Sequence, residues 1–189
     1  MHQIYRNARL QQDQDILQRY QNPAERNAAL TLLIDRYQKR LYWHIRKIVI
    51  LHDDADDVLQ NTFIKVWKGL ENFKGESALF TWMYRIATNE ALGFLRQKAR
   101  ERTESLPPIE YQLSQQLESD PLFKGDLIQR KLQQAILALP EKQRLVFNMR
   151  YYDEMPYEQM SDILDTSVGA LKASYHLAAK KIEESLKSD

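Results

Sequence analysis

The sequence predicts an all-α protein of two small helical domains joined by a flexible linker, the second domain a helix-turn-helix of the winged-helix-like, four-helix kind. Three observations predict it. Glycine is scarce, at five residues, while Leu, Gln, Glu, Lys and Ala abound and alternating β-branched runs are lacking, a composition that favours helix over strand. Apolar residues recur at three- and four-residue steps through most of the chain. That recurrence stops over 102–126, where Pro107 and Pro108 sit together, apolar residues are scattered and the charge balance is acidic. A segment of this composition acts as a linker, and its length alone allows it to separate two domains by tens of ångströms, on the order of a small domain's width.

The chain therefore divides into an N-terminal extension (1–22), a first domain (23–101), the linker (102–126) and a second domain (127–189). Its 189 residues, 43% of them hydrophobic, have room for two small cores. Residues up to about Asn22 suit one helix. In the next, Leu32 to Val49, the residues Leu33, Tyr37, Leu41, Ile45, Ile48 and Val49 fall on one stripe, and His52-Asp53-Asp54 then offers turn and N-cap chemistry. A clearer helix follows, with Ala55, Val58, Leu59, Thr62, Phe63, Val66, Trp67 and Leu70 inside and Asp56, Asp57, Gln60, Asn61, Lys65 and Lys68 outside. The loop from Glu71 to Ser77 leads into a long helix from about Ala78 to Arg100, whose Phe80, Met83, Ile86, Ala87, Ala91, Phe94 and Leu95 face inward.

Beyond the linker, Leu127, Ile128, Leu132, Ile136, Leu137 and Leu139 mark the first helix of the second domain. Pro140 starts another, with Leu145, Val146 and Met149 buried, and Pro156 a third, with Met160, Ile163 and Leu164 at core spacing. After the polar turn Asp165-Thr166-Ser167, a last helix places Val168, Leu171, Tyr175, Ala178, Ile182 and Leu186 on one stripe. Gly169, Lys172, Ala173, His176 and Lys180 lie opposite, on a face that is small, polar and basic. A recognition helix in the DNA major groove needs such a face, because bulk clashes with the groove and acid is repelled by phosphate. A plain helical bundle with a solvated lysine face would share the same periodicity.

Composition excludes several classes. The chain has no cysteine, hence no disulfide or thiolate metal site, which fits a reducing compartment. No apolar run reaches membrane-spanning length and the amino terminus is too polar for a signal peptide, so no membrane insertion and a cytoplasmic location are expected. The formal net charge of +1 hides segregation: Arg36, Lys39, Arg40, Arg46 and Lys47 form a basic block, whereas Asp53, Asp54, Asp56 and Asp57 form an acidic one. Blocks of opposite sign suit a protein with both a nucleic-acid surface and a protein partner.

The residues from Asp54 to Trp67, the run Phe73-Lys74-Gly75-Glu76-Ser77 with Phe80 to Ala87 and Asn89, and Leu139-Pro140-Glu141 with Arg144, Tyr157 to Met160 and Ser167 to Lys172 together resemble an RNA polymerase sigma factor of the extracytoplasmic-function subfamily. The three motifs, in order around a variable linker, cover most of the chain. The resemblance implies core RNA polymerase and promoter DNA as partners, with an anti-sigma factor as a further one. It assigns polymerase binding to Asp53, Asp54, Asp56, Asp57, Gln60 and Asn61. It assigns the minus-ten element to Asn72, Lys74, Ser77, Trp82, Arg85, Asn89 and Arg96, and the minus-thirty-five element to Lys172, Ala173, Ser174, His176 and Lys180. The last helix departs from the family in carrying Lys172, Ser174 and His176 where arginines are usual.

Physical chemistry supports these roles while leaving blander ones open. An acidic helix face meeting a basic partner raises the rate of association and sets register more than it adds affinity, although Asp53 or Asp54 would equally cap the helix. A calcium loop is disfavoured, since the glycine and distal glutamate it needs are missing. A reader of separated strands needs cations and stacking surfaces, which Lys74, Arg85, Phe73, Trp82 and Tyr84 supply; Phe80, Phe73 and Trp82 also suit a core. His2, His44, His52 and His176 lack metal-ligand spacing, and no phosphate loop or activated nucleophile is recognisable. No enzymatic activity, cofactor, metal or small-molecule substrate is expected. Two other readings share part of this pattern: a free-standing helix-turn-helix regulator and an adaptor made of two helical bundles.

Overall fold

A computed structural model describes residues 2–101 and 127–187, apart from the side chains of 2–10 and 127; the linker expected over 102–126 lies outside them. The described residues form eight α-helices: α1 (His2–Gln21), α2 (Arg26–Val49), α3 (His52–Gly69), α4 (Leu79–Glu101), α5 (Leu127–Leu137), α6 (Glu141–Tyr151), α7 (Tyr157–Leu164) and α8 (Val168–Lys187). A 3-10 turn, Leu70–Asn72, follows α3, and among the described residues there is no strand. The second unit thus has the four expected helices, with no β wing among its described residues.

Helices α2, α3 and α4 pack together around Leu33, Tyr37, Leu41, Ile45, Val58, Val66 and Met83, each at most 2% exposed. The expected stripes are the buried ones, and each large side chain taken fully from water contributes roughly 1.5–3 kcal/mol. α2 begins at Arg26, six residues before the apolar stripe that marked it, because its first turns pack on α1 through Ala29. α1 is fastened there by Ile16 and by Asp13, which accepts the Tyr37 hydroxyl proton and lies 2.9 Å from Arg36. Burial first, and the Asp13 carboxylate second, push the Tyr37 phenol far above its ordinary value. At the other end Tyr20 donates to the Trp67 carbonyl at 3.3 Å with its ring edge-on to the indole.

α2 ends at Ile50 with φ 72, a left-handed value that is costly for a β-branched residue. The side chain is 6% exposed, and packing holds the turn that lets α3 reverse direction. His52-Asp53-Asp54 does not cap α3. Leu51 occupies the N-cap position without a side-chain hydrogen bond, and the carboxylates of Asp53 and Asp54 lie in the first turn.

In the second unit Ala135, Ile136, Leu139, Phe147, Ala178 and Ile182 form one cluster, with Phe147 stacked on Tyr175 at 5.5 Å. α7 stops at Asp165, which adopts the left-handed conformation, and the Ser167 hydroxyl accepts the Ala170 amide at 3.3 Å to start α8. Two of the apolar residues that mark these helices lie outside the core. Ile128 is 71% exposed and Leu186 is 37% exposed, both within a turn of a helix end where the periodic stripe runs past the neighbour it packs on.

The two units are not separate. Leu145, Val146, Met149, Met155, Met160, Ile163 and Leu171 of the second belong to the same continuous apolar cluster as the core of α2, α3 and α4. The seam is made by α7 against α4 and by α6 against α2.

Candidate nucleic-acid and partner interfaces

The acidic end of α3 presents Asp53, Asp56, Asp57, Gln60 and Asn61 to solvent, as helical spacing required once Ala55, Val58, Leu59 and Thr62 turned inward. The negative charges sit at the amino end, where the helix dipole favours them. The group is not uniform. Asp54 turns back to α4 and pairs with Lys98 at 2.6 Å, its side chain 17% exposed, whereas Asp56 lies 3.5 Å from His52 on the surface. Asp53, Asp57, Gln60 and Asn61 are the exposed residues of this face that are turned away from both pairings.

The second group gathers along the loop after α3 and the outer side of α4. Asn72 and Lys74 are exposed, Gly75 takes φ 72 at the tip with open space around it, and Ser77 is half-buried. Arg85, Asn89 and Arg96 recur at steps that return to one side of the helix, and all three are exposed. Trp82 is held differently: its ring packs on Gly69 and lies 5.0 Å from Phe73, so it braces the base of the loop. Arg85 is also engaged, donating to the carbonyl of Asp162 in α7.

On α8, Gly169, Lys172, Ala173, His176 and Lys180 are exposed along one face and Ser174 is half-buried at its edge. Nothing lies within 4 Å of where a Gly169 side chain would begin, so a surface can approach the backbone closely there. Lys172 reaches over the Tyr157 ring at 5.8 Å, and Lys180 has Glu184 at 3.9 Å. Tyr175 is in the packing, as its place on the apolar stripe implied. Among the described residues no group of three or more His, Cys, Asp or Glu side chains could hold a metal ion, and no helix is long and apolar enough to cross a membrane.

One buried polar cluster joins none of the sequence motifs. Asp153, between α6 and α7, accepts from Lys47 and lies 3.4 Å from Nδ1 of His44, while Nε2 of His44 is 2.8 Å from the Thr88 hydroxyl. Burial alone would raise the Asp153 carboxyl; the His44 ring and the Lys47 ammonium outweigh it and hold it below its ordinary value. A signal was present: His44 falls on the Leu41–Ile45–Ile48 stripe, and a polar residue on a buried face requires a partner.

Both halves of the chain match known proteins. Residues 33–101 match the family model described as Sigma-70 region 2, and residues 129–182 match that described as Sigma-70, region 4. The chain is 30% identical over 186 residues to the RNA polymerase sigma-H factor of Pseudomonas aeruginosa, spanning 93% of this chain and 94% of that protein. It is also 30% identical over 179 residues to the ECF RNA polymerase sigma-E factor of Escherichia coli K12, with 90% and 92% covered. Two solved structures share the fold. One is CnrH in complex with the cytosolic domain of CnrY, with TM-score 0.68, 21% identity, and 94% of this chain and 99% of that one covered. The other is the sigma factor RpoE from Bartonella quintana in complex with the anti-sigma factor NepR, with TM-score 0.66, 23% identity, and 84% and 97% covered. The chain belongs to the extracytoplasmic-function RNA polymerase sigma factors, proteins of promoter-specific transcription initiation.

Proposed function

We propose that this protein binds core RNA polymerase and directs it to promoters by reading a minus-ten element with its first domain (23–101) and a minus-thirty-five element with its second (127–189). The observation that carries the reading is the small, basic, exposed face of α8, set on a helix-turn-helix in the same chain as the cationic side of α4 and the acidic end of α3. Asp53, Asp56, Asp57, Gln60 and Asn61 would meet the polymerase, while Asp54, the sixth residue of that group, would hold the helix end in place through Lys98. Asn72, Lys74, Ser77, Trp82, Arg85, Asn89 and Arg96 would hold the separated minus-ten strand, Trp82 by supporting the loop. Lys172, Ala173, Ser174, His176 and Lys180 would face the minus-thirty-five duplex, where a good side-chain pair to a base edge contributes roughly 1–3 kcal/mol of discrimination.

On this reading the protein is a cytoplasmic specificity subunit, and the chemistry of transcription belongs to the polymerase. The two solved neighbours are held by a cytosolic domain and by an anti-sigma factor, which supports an inhibitor of that kind for this protein too. Run-off transcription with purified core polymerase and a library of genomic promoters tests the proposal. Polymerase-dependent starts sharing two spaced elements are expected. A folded protein that produces no such starts, or that binds an operator as a dimer without polymerase, would overturn it.

A further inference from the structure

The basic block of α2 joins none of the three interfaces, and it borders two adjoining cavities. An inner one of about 200 Å³ lies between α2 and the α5–α6 pair, with Ile50, Ile136 and Leu137 as its apolar wall. An outer one of about 390 Å³ opens between α2, Tyr84 of α4 and the turn after α6. Trp43, Lys47 and Tyr152 line both, so the two are parts of one cleft. Its charge is one-sided. Lys39 and Arg40 line the outer part, Arg46 and Arg144 the inner part and Lys47 both, against one carboxylate, Asp153, which Lys47 and His44 already receive. Arg46 is 3% exposed, and a guanidinium screened from water attracts an anion far more strongly than one on an open surface. The aromatic walls are held in place. Trp43 stands edge-on to Tyr42 at 5.2 Å, and Tyr152 has the Lys47 ammonium over its ring at 5.1 Å and the Gln133 amide on its hydroxyl at 2.7 Å.

From this cleft we propose that the protein carries a small-molecule site for an aromatic anion, a flat apolar ring system bearing one carboxylate or phosphate. The ring enters the inner cavity between Trp43, Ile136 and Leu137, and the anionic group meets Lys39 and Arg40 at the outer part. Ligand cavities are mostly apolar with a few placed polar groups, which is the make-up of the inner part. Its volume falls below the roughly 300–1,000 Å³ that takes a drug-sized ligand, and this limits the buried part to about two fused rings. A bare inorganic anion would gain nothing from the apolar wall and would give up its hydration to enter. A neutral ring would bury its surface there but draw nothing from the cations. None of the residues assigned to polymerase, to the minus-ten strand or to the minus-thirty-five duplex lines the cleft, so the site goes beyond those assignments and does not rest on them.

Titration of the full-length protein with 2-naphthoate, 2-naphthyl phosphate and the neutral 2-naphthamide tests the site, followed by calorimetry and by the indole N–H signals in NMR spectra. At least one of the two anions is expected to bind one to one with a dissociation constant of about 0.01–1 mM, and the tighter of them identifies the anionic group. The amide should bind about 5–10-fold more weakly than that anion. Of the three tryptophans, Trp43, Trp67 and Trp82, Trp43 alone should shift. Lys39→Gln combined with Arg40→Gln should bring the anion down to the affinity of the amide and leave the amide unchanged. Leu137→Trp, which fills the inner cavity, should abolish binding of all three compounds. Thermal melting verifies that each variant folds, and the Lys39, Arg40 double variant decides the matter if Leu137→Trp does not. Absence of binding by both anions at concentrations that saturate a millimolar site would overturn the proposal. So would binding that shifts Trp67 or Trp82 in place of Trp43, or that persists in folded Leu137→Trp. An amide that binds as tightly as the anions, or an anion unaffected by the double variant, would overturn the anionic class.

Discussion

A side chain begun at Gly69 would meet the Trp82 ring at 3.0 Å, so the end of α3 and the start of α4 are brought together by the absence of one side chain and the presence of the other. This contact sets the base of the loop that carries Asn72 and Lys74. Gly69→Val should therefore destabilise the protein by about 1–3 kcal/mol through overpacking. Urea unfolding of Gly69→Val, Trp82→Ala and the double variant checks it. The two losses should be strongly non-additive if the ring is what the new side chain strikes.

Asp54 and Asp57 lie on the same acidic helix end yet should behave differently. Asp54 is committed to Lys98, whereas Asp57 is exposed. Asp57→Lys should leave thermal stability unchanged and slow association with core polymerase by up to about tenfold at low salt, the difference shrinking as salt is added. Asp54→Asn should mainly lower stability. Stopped-flow association beside calorimetry separates the two, and equal kinetic effects would argue against a distinct outer face.

On α8 the residues divide by what they reach. Lys172→Ala should cost about 1–3 kcal/mol at the preferred minus-thirty-five sequence and little elsewhere. Lys180→Ala should weaken binding to all sequences alike and reduce the salt slope by about one. Affinities of the polymerase holoenzyme for a set of promoter variants, taken at several salt concentrations, measure both quantities together.

Asp153 implies a pH dependence of stability. Its carboxyl is held low in the folded protein, so its contribution is complete above the unfolded value, about 3.9, and is lost as pH falls through the folded value. The groups facing it are His44 and Lys47 from α2 and Tyr84 from α4. Thermal stability should carry this contribution in full at neutral pH and lose it only in acid below roughly pH 4, as melting across a pH series would measure. In Asp153→Asn that acid transition should be missing.

The Tyr20 hydroxyl joins α1 to the end of α3. Tyr20→Phe should cost about 0.5–1.5 kcal/mol, the usual net value of one hydrogen bond. Unchanged stability, measured by thermal melting, would show that the ring alone holds α1 in place.

Much of this was legible in the sequence, and the residues show why. Leu33, Tyr37, Leu41 and Ile45 repeat every three or four positions, and whichever neighbour covers such a stripe, it must be covered. The same reasoning put Gly169, Lys172, Ala173 and His176 on the outside of α8 without knowledge of the fold. It was less reliable at helix ends, where Ile128 and Leu186 continue a stripe beyond the element that would bury them. It also could not separate Asp54 from Asp57, or recognise Trp82 as the partner of Gly69, because those assignments depend on what a different helix brings opposite.

The sequence by itself determined that the chain is helical, which faces are apolar, where charge is concentrated and which family its motifs resemble, because these follow from local periodicity and residue chemistry. Only the tertiary structure decided that the two domains share one apolar cluster, that Arg85 is occupied by α7, and that Asp153 is clasped by His44 and Lys47. Those are contacts between segments about eighty to one hundred residues apart. Helical periodicity says which face of a segment seeks a partner, and the docking of distant helices selects which partner it finds.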